Sequence, residues 1–255
     1  MAHHHSPKIV TDGLKCLVDM ANPKSMPFRT HNTQVTTGIT LYDISGNDAD
    51  WNIYTTTTGK FLNDYGGVFD FGTTGQTSNE INSADGYASV SNGLTTFTLD
   101  IWASRDQGNP TIDTLYEGGS SNQSLLLYRN NGTPPAWEFY TNGGAQGIFP
   151  NSDYTSDLNL TDGTFFNIVI RLDTGANVAR LYINGEYVSS SGVTGTYTLY
   201  GNTTYTNLGQ EYDGASKDPN QGWKGKFASL KLYNRALTDD EIRQNYNAIR
   251  FRFGI

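Results

Sequence analysis

Residues 162–191, DGTFFNIVIRLDTGANVARLYINGEYVSSS, leave this chain few folds to choose from. Phe166, Ile168, Ile170 and Leu172 recur every second residue, with Asn167 and Arg171 between them, the pattern of a strand buried on one face. Val178–Ile183 repeats it, sending Ala179, Leu181 and Ile183 the same way. Asn184-Gly185 then leads into Glu186, Tyr187 and Val188, and Asn-Gly between apolar runs predicts a type I′ hairpin because both residues tolerate positive φ. The stretch is an antiparallel meander. Alone it cannot hide its apolar face, so the rest of the chain must supply a second layer.

Further short runs supply it. Leu14, Cys16 and Val18 alternate in a first strand, and 67–72, 86–90 and 97–103 read as three more. In 97–103 Phe97, Leu99, Ile101 and Ala103 face the core, and Trp102 turns to the other side as cover for an edge or second layer. TLYEG, SLLLYRN and AWEFYT follow at sandwich spacing, and 226–233 is the last strand. Residues 23–40, 73–85, 142–163 and 213–222 read as loops. One helix is signalled, over 238–249: Thr238 and Glu241 form a capping box, Leu237 and Ile242 a hydrophobic staple, and Ile242, Tyr246 and Ile249 one face. With 28 glycines, 13% aromatic and only 16% charged residues, tight turns and strands are favoured over helices. The expectation is one all-β domain over 12–249, a sandwich of two antiparallel sheets with one short C-terminal helix, flanked by an arm (1–11) and a tail (250–255).

A net charge of −8 argues against nucleic acid, whose phosphates need clustered Lys and Arg, and against anionic lipid. No run approaches the ~18 apolar residues of a membrane span, and the N-terminus lacks the apolar core of a secretory leader, so the expected product is cytoplasmically made and not membrane-inserted. Cys16, the single cysteine, alternates with apolar residues and reads as buried. His3, His4 and His5 are adjacent and suited to adventitious metal.

The turn LYDISGND exposes several oxygens. Asp43 and Asn47 either contribute to a Ca²⁺ shell, which takes about six to eight oxygens, or close an Asx-type turn on their own backbone. The tail, Arg250, Phe251, Arg252, Phe253, Gly254, Ile255, alternates so that Ile249, Phe251, Phe253 and Ile255 share a face if it is extended. Either it folds back on its own sandwich, or it is an assembly element in which the phenylalanines anchor in a neighbouring subunit and Arg250 and Arg252 pair with acidic surface.

GLKCLVDMANP, LYDISGN, GGVFDF, FTLDIWAS, FFNIVIRLDTGANVARLYINGEYV and GKFASLKLYNRALTDDEIRQNY, in that order, resemble the concanavalin A-like, laminin G-like (pentraxin-like) domain over nearly the whole chain. The opening SPKIVTDGL and closing NYNAIRFRFGI resemble tailed-bacteriophage virion proteins that carry such a domain. The resemblance implies a jelly roll, often with calcium and sometimes with a glycan site at a loop edge. It further implies a structural or decoration protein on the virion whose partners are other virion subunits, itself included as a homo-oligomer; a carbohydrate-binding adhesin is the alternative. Many relatives carry an acid in the final strand where this chain has Ala228-Ser229. Glucanases of this fold place acids as Glu-x-Asp-x-Glu, and hydrolysis needs two carboxylates across a cleft. Glu211-Tyr212-Asp213 supplies only two of the three, His31 stands alone, and no Gly-x-Ser-x-Gly is present, so no catalytic residue is assigned. For a glycan, the loop-flanked aromatics Trp137, Tyr140, Tyr212 and Trp223 are the candidates, with packing as the competing role of each.

Overall fold

The computed structural model describes residues 7–35, 37–55, 59–72, 79–106, 112–119, 125–130, 136–141, 144–150, 163–192, 198–199, 206–213, 216–218 and 221–255. In chain order the strands are β1 (Leu14–Asp19), β2 (Thr33–Gln34), β3 (Ile39–Leu41), β4 (Trp51–Thr55), β5 (Lys60–Leu62), β6 (Val68–Asp70), β7 (Asn79–Ser83), β8 (Thr96–Arg105), β9 (Ile112–Gly118) and β10 (Leu125–Asn130). They continue as β11 (Ala136–Thr141), β12 (Gly144–Pro150), β13 (Phe165–Asp173), β14 (Val178–Ile183), β15 (Glu186–Gly192), β16 (Asn207–Leu208), β17 (Tyr212–Asp213), β18 (Ser216–Lys217) and β19 (Gly225–Tyr233). Among the described residues two helices, α1 (Asp85–Ser91) and α2 (Asp239–Ile249), accompany these strands with short 3₁₀ turns.

The first sheet runs β15-β14-β13-β8-β19-β6-β5-β2, with β1 pairing the end of β19 that β6 leaves open. The second runs β12-β11-β10-β9-β16-β7-β4-β3. All these pairings are antiparallel, and the architecture is the expected two-sheet jelly roll. The meander has the predicted register, with Ile168 opposite Ile183, Ile170 opposite Leu181 and Leu172 opposite Ala179. Asn184 and Gly185 both take positive φ, 51° and 78°, as a type I′ turn requires. Between the sheets lies one apolar core, built from the inward residues of each strand and including Cys16.

Several local expectations are corrected. Residues 86–90 are helical, not extended: Tyr87 and Ser91 fall on one helical face and are buried, and a Cβ on Gly86 would lie 1.7 Å from the Asp48 carbonyl oxygen. Strands β2, β3, β7, β12 and β18 lie, wholly or in part, where loops were expected. In β7 only Ile81 is apolar and inward, so the run NEINS gave no alternation to read.

The outer face of the first sheet is covered by α2 and by both chain ends. The capping box forms as predicted, and the Arg235 guanidinium holds the Glu241 carboxyl down to about 2. Leu237 and Ile242 pack on Val169, Tyr182 and Tyr233, while Tyr246 and Ile249 pack on Val68, Trp102 and Ala228. Trp102 is the second-layer cover expected of it, stacked on Tyr246 with ring centroids 5.6 Å apart. Between these two apolar clusters lies a buried polar node. The Asp100 carboxylate accepts from Lys231 Nζ (3.2 Å), Asn167 Nδ2 (2.8 Å) and Asn245 Nδ2 (3.4 Å). Asn245 also accepts the Val10 N–H at 2.8 Å, and Tyr233 donates to the Val10 carbonyl, so the described part of the N-terminal arm is docked against the domain.

The tail is not extended. Arg250–Phe253 is a 3₁₀ turn closed by Gly254 at φ 74°, which turns Phe253 inward and leaves Phe251 67% exposed. Phe253 stacks on Phe165 (4.4 Å) and Trp102 (4.7 Å), and Arg252 pairs with Asp19 (2.7 Å) and donates to the Tyr65 and Gly67 carbonyls. Burial drives the Arg252 pKa below its ordinary value while Asp19 opposes the shift. Phe253 and Arg252 therefore serve this chain's own sandwich, Arg250 lies over the rings of Tyr246 and Phe251, and Ile255 is half-buried beside Phe253.

Candidate functional site

Of the four aromatic candidates, two belong to the core. Trp137 and Trp223 are 1% and 2% exposed and lie 6.2 Å apart between the sheets, both edge-on to Phe166. The Trp223 indole N–H donates to the Ser104 carbonyl. Filling the sandwich uses the ring faces that a sugar would need. Tyr140 lies in β11 opposite Leu126, and its side chain falls outside the described residues. Tyr212 is placed on the outer face of the second sheet, in the small β17–β18 hairpin.

That outer face is polar, and strand register explains why. Trp51 and Ile53 point inward from β4, so Asn52 and Tyr54 point out; Ile81 points inward from β7, so Glu80 and Asn82 point out. The same parity turns Thr40, Asn207 and Glu117 outward. Cross-strand pairing then aligns Thr40, Asn52, Asn82, Asn207 and Glu117 in a single row over five strands, with Tyr54 beside Glu80 in the next row.

The hairpin closes one end of this row. The Tyr212 hydroxyl donates to both Glu80 oxygens (3.1 and 2.9 Å), its backbone N–H donates to Glu117 Oε2 (2.8 Å), and Lys217 Nζ pairs with Glu80 Oε1 at 2.7 Å. Burial first, and the Glu80 charge second, push the Tyr212 hydroxyl well above its ordinary pKa, so it stays a donor. Asn82 Nδ2 also donates to Glu80 Oε1, at 3.1 Å. Since a carboxylate only accepts, this bond fixes the amide and turns Asn82 Oδ1 away from Glu80. Among the described residues that buried oxygen has no partner, and an orphaned buried acceptor costs about 1–3 kcal/mol. Next to it, Asn52 accepts from Thr40 through Oδ1 at 3.4 Å, which leaves its N–H groups facing the row. Tyr54, 39% exposed, supplies an open ring. An acceptor, a donor and an aromatic face therefore lie side by side at one end of the row.

These residues escaped sequence reading except through one signal, the Trp-Asn-Ile-Tyr alternation of 51–54, which sets an amide and a tyrosine on the face opposite two core residues.

The Asp43 loop uses different chemistry. Asp43 Oδ1 accepts from the N–H groups of Leu17 (2.8 Å) and Ser45 (2.9 Å), and Oδ2 accepts from the Ser45 hydroxyl (2.7 Å) and the N–H groups of Asn47 (3.1 Å) and Ala49 (3.2 Å). Asn47 Nδ2 donates to the Leu14 carbonyl. Five donors fill the roughly four lone-pair sites of a carboxylate, so the residues here do not fit a Ca²⁺ shell and the Asx-turn reading accounts for them. Among the described residues no group of three His, Cys, Asp or Glu side chains is arranged for a metal. Asp43→Ala is expected to destabilise by about 2–4 kcal/mol, since it orphans donors from β1 and the loop, and the wild-type melting temperature is expected to be the same in CaCl₂ and in chelator. Calorimetry checks both.

The architecture is that of a lectin-like jelly roll. The sequence profile of the concanavalin A-like lectin/glucanases superfamily matches residues 74–243, and the chain belongs to that superfamily. Its fold is similar to the binding domain of Paraclostridial Mosquitocidal Protein 1 (TM-score 0.63, 15% identity, 93% of this chain and 52% of that one). It is also similar to domain 4 of AbnA, a GH43 extracellular arabinanase from Geobacillus stearothermophilus, in complex with arabinotriose (0.57, 16%, 91% and 98%). A third is the botulinum neurotoxin DC binding domain in complex with SialylT (0.62, 13%, 94% and 52%). The chain spans about half the length of the toxin chains it matches. A comparison with curated protein sequences gives no match. No helix among the described residues is long and apolar enough to cross a membrane.

Proposed function

We propose that the chain is a non-enzymatic lectin-like module of a tailed-bacteriophage virion structural or decoration protein, and that it contacts glycan through the outer face of its second sheet. The observation that carries the glycan contact is the juxtaposition of the Asn52 amide and the open Tyr54 ring on this polar face. A sugar hydroxyl accepts from the first, and the apolar face of a pyranose covers the second. The arabinotriose-bound domain of the same fold supports the reading. Catalysis is not part of it: Glu80 accepts from Lys217, Tyr212 and Asn82, and Glu117 from Tyr212 and Asn207, which commits both carboxylates to hydrogen bonds within the protein.

The virion placement rests on the likeness of SPKIVTDGL and NYNAIRFRFGI to phage virion proteins. Phe251, the most exposed large apolar side chain described, with Arg250 over its ring, is the point from which a neighbouring subunit or second copy is contacted. Adhesin and decoration readings share the fold and the face, and labelling the protein on intact particles separates them. For the glycan contact, Tyr54→Ala and Asn52→Ala are each expected to weaken binding about tenfold with little change in melting temperature. Titration calorimetry on a ligand found by glycan array measures this. An array that is blank for wild type removes the glycan contact.

A further inference from the structure

The Arg250 guanidinium is stacked but not paired. It lies over the rings of Tyr246 (5.8 Å) and Phe251 (4.7 Å), and its Nε is buried without a hydrogen-bond partner. Among the described residues no carboxylate meets it, although Arg243 takes Glu186 and Arg252 takes Asp19. Stacking uses the faces of a guanidinium, and a carboxylate takes its edge. Phe251 beside it is 67% exposed. The chain also carries a complement. The loop between β3 and β4 of the second sheet and the start of α1 hold Asp43, Asp48, Asp50 and Asp85, and neither 37–55 nor 79–92 contains a lysine or arginine. The fold draws these acids together: Asp50 Oδ1 accepts the Asp43 N–H at 2.7 Å, the Asp50 carbonyl accepts the Ala84 N–H at 2.9 Å, and Gly86 is packed against the Asp48 carbonyl. Asp48 and Asp85 are exposed, none of the four carboxylates pairs with a base among the described residues, and Tyr42 adjoins them, 46% exposed.

We infer that these two surfaces meet between copies of the chain: Arg250 and Phe251 of one copy dock against Asp48, Asp85 and Tyr42 of the next. The inference rests on the reading of Phe251 as a subunit contact and names its partner. The tail lies over the first sheet and the acidic loop joins strands of the second, so the contact is head to tail and propagates as a ring or a filament. An arginine–carboxylate pair beside a rigid aromatic has the make-up of an interface hot spot. With a net charge of −8 the copies repel each other in most orientations, and the orientation that sets a cation against the acids is the favoured one.

The test is sedimentation velocity over a concentration series with two charge-reversed proteins, Arg250→Glu and Asp85→Lys. Asp85 is the acid to reverse because Asp48 sits at φ 55°, where a long side chain adds strain. Wild type is expected to associate as its concentration rises. Each variant alone is expected to associate about tenfold more weakly, because like charges then face each other, and an equimolar mixture of the two to regain the loss, because each reversed charge meets the other. Melting curves confirm that both variants are folded. A wild type that stays monomeric overturns the inference and leaves a different subunit as the partner of the tail. Association that both variants retain, or that the mixture fails to restore, also overturns it. Phe251→Ser separates this failure from failure of the underlying reading: association lost there but kept in the charge variants leaves the tail in contact with another surface, and association kept in all three removes the tail from the contact.

Discussion

Lys231→Met is expected to remove about 3–5 kcal/mol of stability, which for a chain of this size lowers the melting temperature by roughly 10–15 °C. Lys231 and Asp100 are 0% and 1% exposed on paired strands of the first sheet, with a nitrogen–oxygen distance of 3.2 Å. Methionine fills the same volume, so cavity formation contributes little and the loss reports the charge. The Asp100 carboxylate remains, held only by the amides of Asn167 and Asn245 and sealed from water by α2. The effect spreads because Asn245 also holds Val10 and Tyr233, so the node fastens the helix and the N-terminal segment to one sheet. Adding Asp100→Leu to Lys231→Met is expected to recover much of the stability, since a buried pair replaced by apolar groups is often neutral. Urea denaturation of the two singles and the double measures the coupling. A single-mutant loss below about 1 kcal/mol would mean that water reaches the pair.

The sequence carried the meander, the capped helix and the second-layer role of Trp102 in full, because each is set by periodicity or by contacts within a few residues. The polar row was not legible for the opposite reason. Asn52, Asn82, Asn207 and Glu117 become neighbours only through register between strands far apart in the chain, and no local pattern encodes a register of that kind. Aromatic residues misled in the same way. Trp137 and Trp223 were read as loop-flanked platforms with packing as the competing role, and only the packed structure places the two together in the core. Tyr212 was singled out as a sugar platform and lies on the outer face of the second sheet, but its hydroxyl and backbone organise Glu80 and Glu117, and the open ring is Tyr54. Strand β7 shows the general limit. A strand whose inward contribution is one isoleucine, with polar residues filling the outer face, reads locally as a loop.

Phe253→Ala is expected to cost about 3–5 kcal/mol, and deletion of 250–255 more, although both changes lie at the end of the chain. Terminal residues usually fray, and an alternating tail looks like a detachable strand. Here the phenylalanine ring is stacked on Trp102 and Phe165 and touches Tyr65, completing the apolar cluster that also takes Val68, Ala228 and Ile249. Removing it opens a cavity over a tryptophan. Loss of Arg252 then frees Asp19 and two carbonyls of the 64–67 turn, where Tyr65 is held at φ 54° and a Cβ on Gly67 would lie 2.4 Å from the Met20 carbonyl oxygen. Arg29 also donates to the Gly66 carbonyl at 2.7 Å and Tyr65 packs edge-on to Phe165, so Arg252 is one of several contacts that hold so crowded a backbone. Phe251→Ser is the matching control: its ring is mostly in solvent, so stability is expected to change by no more than about 0.5 kcal/mol, while any contact that the tail makes with a neighbouring subunit is weakened. Thermal melts of the three variants, with sedimentation of each, separate the roles. A truncated protein that melts within about 2 °C of wild type would show that the tail adds nothing to this sandwich, and Phe253 would then be open to a neighbour.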